Sequence, residues 1–250
     1  MESAPGSPPS VAGAEAPVAT IFATGRGQMA IHTTDPAARQ QAGFSDKYAR
    51  DAKGSITGAF MQVLADGRMP ATLGQVAEAV EAGVRHVTKY WQAPEAVGKE
   101  LTQDWPAALG GRKAALILMV GQYQSSFPSL QPAIGEESLL LQRALEAKDF
   151  ETTLVPQEEL QDIRGMQAAL REFAGRASAC DVSVIVASGH GVQLLNLQGQ
   201  DGVRLCAGGF QSNSGLDNAL PFCEIQQAAR GRKANLVLYG ACREDAAPYM

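Results

Sequence analysis

The sequence predicts an α/β protein with a mostly parallel central sheet and helices on both faces. Three observations predict it. Short, nearly continuous runs of Val, Ile and Leu recur in KAALILMVG, DVSVIVASGHG and NLVLYGACR, as expected of strands buried on both faces of a parallel sheet. Segments with apolar residues at three- and four-residue spacing lie between such runs, the mark of amphipathic helices. Strand and helix patterns alternate over the second half of the chain, the order that crossover units require.

Composition bounds the partners. The chain has 250 residues and is 45% hydrophobic and 19% charged, which suits a globular chain rather than a disordered one. Its formal net charge is -5, and no basic stripe is interleaved with aromatics, so no nucleic-acid partner is expected. No apolar run reaches the roughly 20 residues that span a bilayer, so no membrane partner is expected either. Cys180, Cys206, Cys223 and Cys242 form no C-x-x-C pair and no zinc spacing. They read as reduced thiols in a cytoplasmic, reducing compartment.

Residues 1–16, rich in Pro, Gly, Ala and Ser, read as a disordered leader without the basic start and apolar core of a signal peptide. PVATIFATG is the first strand, and a polar loop follows from Thr33 to Gly54. SITGAFMQVLADG is a helix opened by Ser55 as its cap and ended at Gly67. In TLGQVAEAVEAGVRHVTKYW, Thr72 caps a helix with Leu73, Val76, Ala77, Val80, Val84, Val87 and Trp91 on one face. His86, between Val84 and Val87, reads as half-exposed. The irregular stretch after it, with two prolines and a Gly-Gly pair, is the best internal linker.

Beyond the linker the alternation is regular. KAALILMVG is a strand, EESLLLQRALEAKD a helix, FETTLV a strand and MQAALREFAGRA a helix. DVSVIVASGHG is the strand that closes on His190, and LLNLQGQDGVRLC is a hairpin with Gln-Asp-Gly at its tip. LPFCEIQQAARGRK is a helix and NLVLYGACR the strand that closes on Cys242. Cys180 and Cys223 sit where packing explains them, and Cys206 lies on the hairpin with no partner pattern.

Open α/β sheets hold their sites past the carboxyl ends of the strands. His190 and Cys242 both lie at such ends, so a cysteine nucleophile assisted by an imidazole is the first hypothesis. Taken alone, a cysteine ending a strand is more often an inert core thiol, and a single histidine more often structural. Glycines at 189 and 191 allow the tight turn and close approach that a substrate carbonyl needs. Gly25 to Ala30 also matches G-x-G-x-x-A, but AIHTTDP follows where a dinucleotide site requires a helix.

SGHG at Ser188 to Gly191, GACR at Gly240 to Arg243 and the 52-residue separation of His190 and Cys242 resemble the caspase-like superfamily of cysteine peptidases. The first strand KAALILMVG and the helix start at Glu136–Glu137 extend the likeness. IFATGRGQMAIH, GSITGAFMQVL and the helix ending in YWQAP resemble the small-subunit part, which in that family follows the cysteine. Here the chain stops eight residues after Cys242 and those segments come first, as in type III metacaspases. The resemblance covers most of Pro17 to Arg243. It implies a caspase-like α-β-α sandwich in circularly permuted order, which is plausible because domain termini often lie close together on the surface. The small-subunit part would be residues 17–95, the linker 96–112 and the large-subunit part 113–250, together one folded domain.

The resemblance implies Cys242 as nucleophile, His190 as base and then acid, and the N–H groups of Gly191 and Cys242 as the oxyanion hole. It implies a substrate wall from Ala23 to His32, with Gln28, Ala30 and His32 among the contacts, and a specificity pocket involving Glu137, Ser188 and Gly240. Glu137 matches an acid that holds a basic P1 side chain; it reads equally as an acid complementing a helix N-terminus. The family's second acid is replaced by Gly240, and no arginine for an acidic P1 occurs between Gln122 and Glu137. Arg or Lys at P1 is therefore favoured over acidic or other P1 residues.

The expected function is a cysteine endopeptidase acting on proteins or peptides, with a non-catalytic relative that binds partners as the alternative. Only Asp201 and Asp217 stand where many metacaspases gather calcium-binding acids, too few oxygens for a hard cation. No cofactor and no metal are expected, and a monomer is.

Overall fold

The computed structural model describes residues 16–26, 55–66, 70–88, 92–124, 127–194, 202–211 and 215–245. Six strands form the central sheet: β1 (Val18–Phe22), β2 (Glu95–Val97), β3 (Lys113–Met119), β4 (Phe150–Leu154), β5 (Val182–Ser188) and β9 (Ala234–Tyr239). Their order across the sheet is β2-β1-β9-β5-β3-β4. Every neighbouring pair is parallel except β1 with β2. The helices are α1 (Ser55–Ala65), α2 (Leu73–Val87), α3 (Trp105–Leu109), α4 (Ala133–Glu146), α5 (Ile163–Ala177) and α6 (Phe222–Ala228).

Alternate residues of the central strands feed two cores. Ala115, Ile117, Val182, Val184, Val186, Leu236 and Leu238 pack with α1, α2, α4 and Trp105 on one face. Leu116, Leu118, Ile185, Ala187, Val237 and Tyr239 pack with α5 and α6 on the other. Burying each large apolar side chain contributes about 1.5–3 kcal/mol, so two covered faces explain why these strands read as continuous apolar runs. Ala19 and Ile21 of β1 share the first core with β3, β5 and β9. The α/β expectation, with a mostly parallel sheet and helices on both faces, holds.

A strand that is apolar on both faces specifies its register weakly by pattern. A buried polar pin does so here. Asn235 faces Ser183 in the β5–β9 register, and both are fully shielded from solvent. The Asn235 Oδ1 accepts from Ser183 Oγ at 2.6 Å and from Gly231 N–H at 2.6 Å. Its Nδ2 donates to the carbonyls of Gly231 and Ala16. A slipped strand would strand these groups without partners, at about 1–3 kcal/mol each.

A second sheet was not expected from the sequence. β6 (Gly191–Gln193), β7 (Val203–Cys206), β8 (Ala219–Pro221) and β10 (Glu244–Asp245) form it, in the order β10-β6-β7-β8. β7 is the second arm of the expected hairpin, but its antiparallel partner β6 (Gly191–Gln193) lies directly after His190 and ends before the expected first arm begins at Leu194. The expected Gln-Asp-Gly tip falls partly outside the described residues.

Several local expectations change. The segment assigned as an irregular linker, 96–112, holds part of β2 and all of α3, and Trp105 is completely buried. Thr72 caps α2 as expected, accepting from Gln75 N–H at 3.2 Å. Ser55 does not act as a predicted cap; it is the first residue of α1 and its hydroxyl donates to Gln92 Oε1. α4 starts at Ala133, so Glu136 lies in its first turn and Glu137 beyond it. Cys223 is exposed rather than packed, and His86 is exposed rather than half-exposed. Trp91 lies outside the described residues. Among those described, no helix is long and apolar enough to cross a membrane.

Candidate active site

β5 and β9 run side by side and end level, Ala187 opposite Tyr239. The Gly240 N–H donates to the Ala187 carbonyl at 2.7 Å. One residue on, the Ser188 hydroxyl donates to the Gly240 carbonyl at 3.2 Å across a separation of 52 positions. Both chains then leave the large sheet and pair again as β6 and β10, Val192 opposite Glu244 and Gln193 opposite Asp245. These pairs keep the same offset of 52 positions. His190 and Cys242 have that offset too, and lie between the two paired stretches. Each is therefore level with the other, where two strands cross from one sheet to the next.

The close fit of the two chains sets the residue types around them. A Cβ on Gly191 would stand 2.6 Å from the Cys242 carbonyl oxygen and 2.4 Å from the Tyr239 hydroxyl. Only a residue without a side chain fits there. Gly189 has φ +146, a backbone region that only glycine enters readily.

The peptide groups follow the ladder. Cys206 N–H donates to the His190 carbonyl at 2.9 Å, and Leu194 N–H to the Gly202 carbonyl at 3.0 Å. Backbone groups alternate in direction along an antiparallel strand. Residues 190, 192 and 194 therefore address β7, and the Gly191 N–H is turned the other way, to the side of β10 and Cys242.

The imidazole of His190 is held on several sides. Its Nε2 stands 3.0 Å from the carbonyl oxygen of Pro128. A carbonyl only accepts, so the neutral ring carries its proton on Nε2, and Nδ1 is the ring's acceptor atom. Phe127 stacks on the ring with centroids 4.4 Å apart, and Tyr123 meets it edge-on at 4.6 Å. Phe127 in turn stacks on Phe210 at 5.5 Å.

Cys242 is half-buried; Cys180 and Cys206 are buried. Burial pushes the Cys206 thiol far above its ordinary range, with the neighbouring Cys242 adding to the shift. Burial likewise raises Tyr123 and Tyr239 well above the usual phenol range, and Cys242 contributes to both shifts. Cys242 thus lies among weak acids that stay neutral, and Cys206 is no competing thiolate.

Arg243, the next residue, is 2% exposed. Its Nε donates to Gln193 Oε1 at 3.0 Å, and its Nη1 to the Thr24 carbonyl at 3.3 Å and to Glu95. The guanidinium lies 4.4 Å from the centre of the Phe22 ring. One cation thereby ties the cysteine loop to β6, to the end of β1 and to β2. A buried charge is tolerated where it is paired and fully hydrogen-bonded.

The expected site residues are distributed as follows. His190, Gly191, Cys242, Ser188 and Gly240 come together at the ends of β5 and β9. Glu137 is 3% exposed, on the same face of α4 as Ile134 and against the core that holds Ile56. A Cβ on Gly240 would stand 3.0 Å from Ser188 Oγ and 3.2 Å from Ile56 Cγ2, so the space an acid would use at 240 is already crowded. Gln28, Ala30 and His32 lie outside the described residues. Among those described, no group of three or more His, Cys, Asp or Glu could hold a metal ion.

Tyr123, Phe127, Pro128 and Arg243 were not anticipated from the sequence as parts of the site. The rule that directed attention to the ends of β5 and β9 also applies to β3, and GQY stands just past the end of that strand. No family model matches this sequence, and no curated protein matches it.

Proposed function

We propose that the protein is a caspase-like cysteine endopeptidase in circularly permuted order. The observation that carries this reading is the common level of His190 and Cys242, with matching strand pairs before and after them. The position of β1 beside β9, the cysteine strand, supports the permuted order. A small-subunit strand would follow the cysteine in the family, whereas β1 precedes it in this chain.

In this mechanism the Cys242 thiol gives its proton to Nδ1 of His190, while Nε2–H remains on the Pro128 carbonyl. The thiolate attacks the scissile carbonyl carbon, and the N–H groups of Gly191 and Cys242 receive the oxyanion. The imidazolium protonates the departing amine, leaving a thioester on Cys242. His190 then takes a proton from water as its oxygen attacks the thioester, and returns that proton to the departing Cys242 sulfur; the new carboxylic acid leaves and ionises to solvent, restoring the thiol and the neutral imidazole. Every step uses side chains and backbone groups of the chain itself, so no cofactor is invoked.

Arg or Lys is the proposed P1 residue, with the buried Glu137 carboxylate as its partner and Ser188 and Gly240 lining the pocket. The crowding of Gly240 by Ser188 and Ile56 favours a second reading, in which P1 is neutral or acidic and Glu137 is structural. A monomer acting on cytoplasmic proteins completes the proposal. A fluorogenic peptide panel with Arg, Lys, Asp and neutral P1 residues tests it. Cleavage after Arg and Lys, lost at least about a thousandfold in Cys242→Ala, is the expected result. Equal rates for wild type and Cys242→Ala on every substrate would leave only a non-catalytic binding role.

A further inference from the structure

The hydroxyl of Tyr123 takes a place in a strand ladder that a peptide carbonyl normally fills. His190 and Cys206 stand opposite each other at the start of the β6–β7 pairing, one step before Gly191 and Leu205. Cys206 N–H donates to the His190 carbonyl at 2.9 Å. In a regular antiparallel ladder such a pair exchanges a second bond, from His190 N–H to the Cys206 carbonyl. Here the His190 N–H donates to Tyr123 Oη at 2.7 Å, and Tyr123 Oη donates to the Cys206 carbonyl at 3.3 Å. The phenol is wedged into the ladder and satisfies both groups at once.

The wedge is built in from several sides. A Cβ on Gly189 would come within 2.6 Å of Tyr123 Oη, so the turn before His190 leaves room for the hydroxyl. The Tyr123 ring meets the imidazole edge-on at 4.6 Å and Phe127 edge-on at 5.8 Å. Burial keeps the phenol protonated, so it retains the donor and the acceptor that the bridge needs.

We infer that Tyr123 is a positioning residue for His190: by splitting the β6–β7 ladder it sets the direction in which the imidazole faces Cys242. The inference deepens the cysteine–histidine reading above and rests on it. Without the hydroxyl, the His190 N–H and the Cys206 carbonyl must close on each other or remain buried without a partner. Closing would draw the His190 backbone toward β7 and shift its ring against Phe127 and the Pro128 carbonyl. A displacement on the order of 1 Å at a reacting group can cost about a hundredfold in rate.

The test uses the full chain as wild type, Tyr123→Phe, His190→Ala and the double variant. Alkylation of Cys242 by iodoacetamide at neutral pH, followed by peptide mass mapping, reads activation of the thiol without any substrate. Exposed Cys223 in the same sample is the internal control. Tyr123→Phe is expected to slow Cys242 about tenfold or more and leave Cys223 unchanged. On a cleaved peptide, kcat falls by a similar factor while KM stays within about threefold. In the His190→Ala background the second change adds nothing, because Tyr123 acts through the imidazole. If Tyr123→Phe fails to fold, 4-fluorophenylalanine at position 123, which fills the hydroxyl's space but cannot donate to the Cys206 carbonyl, goes through the same scheme with the same expectation. Wild-type alkylation in the Tyr123 variant, or equal slowing with and without His190, overturns the inference. Wild-type alkylation in His190→Ala overturns the cysteine–histidine pair itself, so the two failures are distinct.

Discussion

Nε2 of His190 stands 3.0 Å from the carbonyl oxygen of Pro128. In the proposed mechanism this contact decides which nitrogen takes the proton. The neutral ring donates from Nε2, so Nδ1 is its acceptor atom. Long-range nitrogen–proton correlation spectra of the neutral protein should show His190 as the Nε2–H tautomer. A neutral ring protonated on Nδ1 would remove the base from the mechanism.

The four thiols should separate by reactivity. Cys242 is half-buried at the level of His190, and Cys223 is exposed on α6, while Cys180 and Cys206 are buried. Burial also holds the Cys206 thiol in its protonated form. Timed alkylation at neutral pH with peptide mapping should label Cys242 first and exposed Cys223 next. Cys180 and Cys206 should react only after unfolding. Labelling of Cys206 ahead of Cys242 in native protein would count against the assignment.

Arg243→Met should destabilise the fold by about 2–3 kcal/mol, the scale of lost hydrogen bonds to a charged group. It removes the guanidinium donor from Gln193, the Thr24 carbonyl and Glu95 and takes the cation from the face of the Phe22 ring. Lysine should restore only part of the loss, since one ammonium cannot reproduce the planar fork. Urea denaturation of the three proteins measures both effects.

Asn235→Ala removes the polar pin between β5 and β9. Ser183 Oγ and Gly231 N–H would both lose their acceptor in a buried site. A loss of about 3 kcal/mol or more is expected from two stranded groups, read again by urea denaturation. Less than about 1 kcal/mol would mean that register is held elsewhere.

Glu81 offers a pH prediction. Burial alone would raise its carboxyl, but hydrogen bonds and charge from Lys99 and Arg85 outweigh that and hold it below the usual range. A carboxyl depressed on folding adds stability above its unfolded pKa, and the gain disappears as pH falls through the folded value. Glu81→Gln should therefore be less stable than wild type at neutral pH, by about 1 kcal/mol given its two half-exposed partners. The gap should close in acid, below about pH 4. Thermal melts of both proteins across that range check the sign.

Two kinds of information divide this molecule. The apolar runs around Val184, Ile117 and Leu236, and the spacing of Leu73, Val76 and Val80, were enough to read the α/β class and most of its elements. These signals are local, because burial on one face or two imposes a period on neighbouring residues. The same runs carry His190 and Cys242 to one edge, and their separation of 52 positions is the strand register itself. Residues near one another only through the fold left no such period. Tyr123, 67 positions from His190, and Pro128, 62 positions from it, became visible as partners only when β3 and β5 were laid side by side. Arg243 likewise stood only as the end of the GACR motif, and its partners Gln193, the Thr24 carbonyl and Glu95 come from distant segments. Local pattern was enough for five of the six central strands, β2 excepted, and for the two residues that lie just past β5 and β9. The tertiary structure alone decided how the imidazole is aimed, because aiming depends on contacts between segments that no periodicity connects.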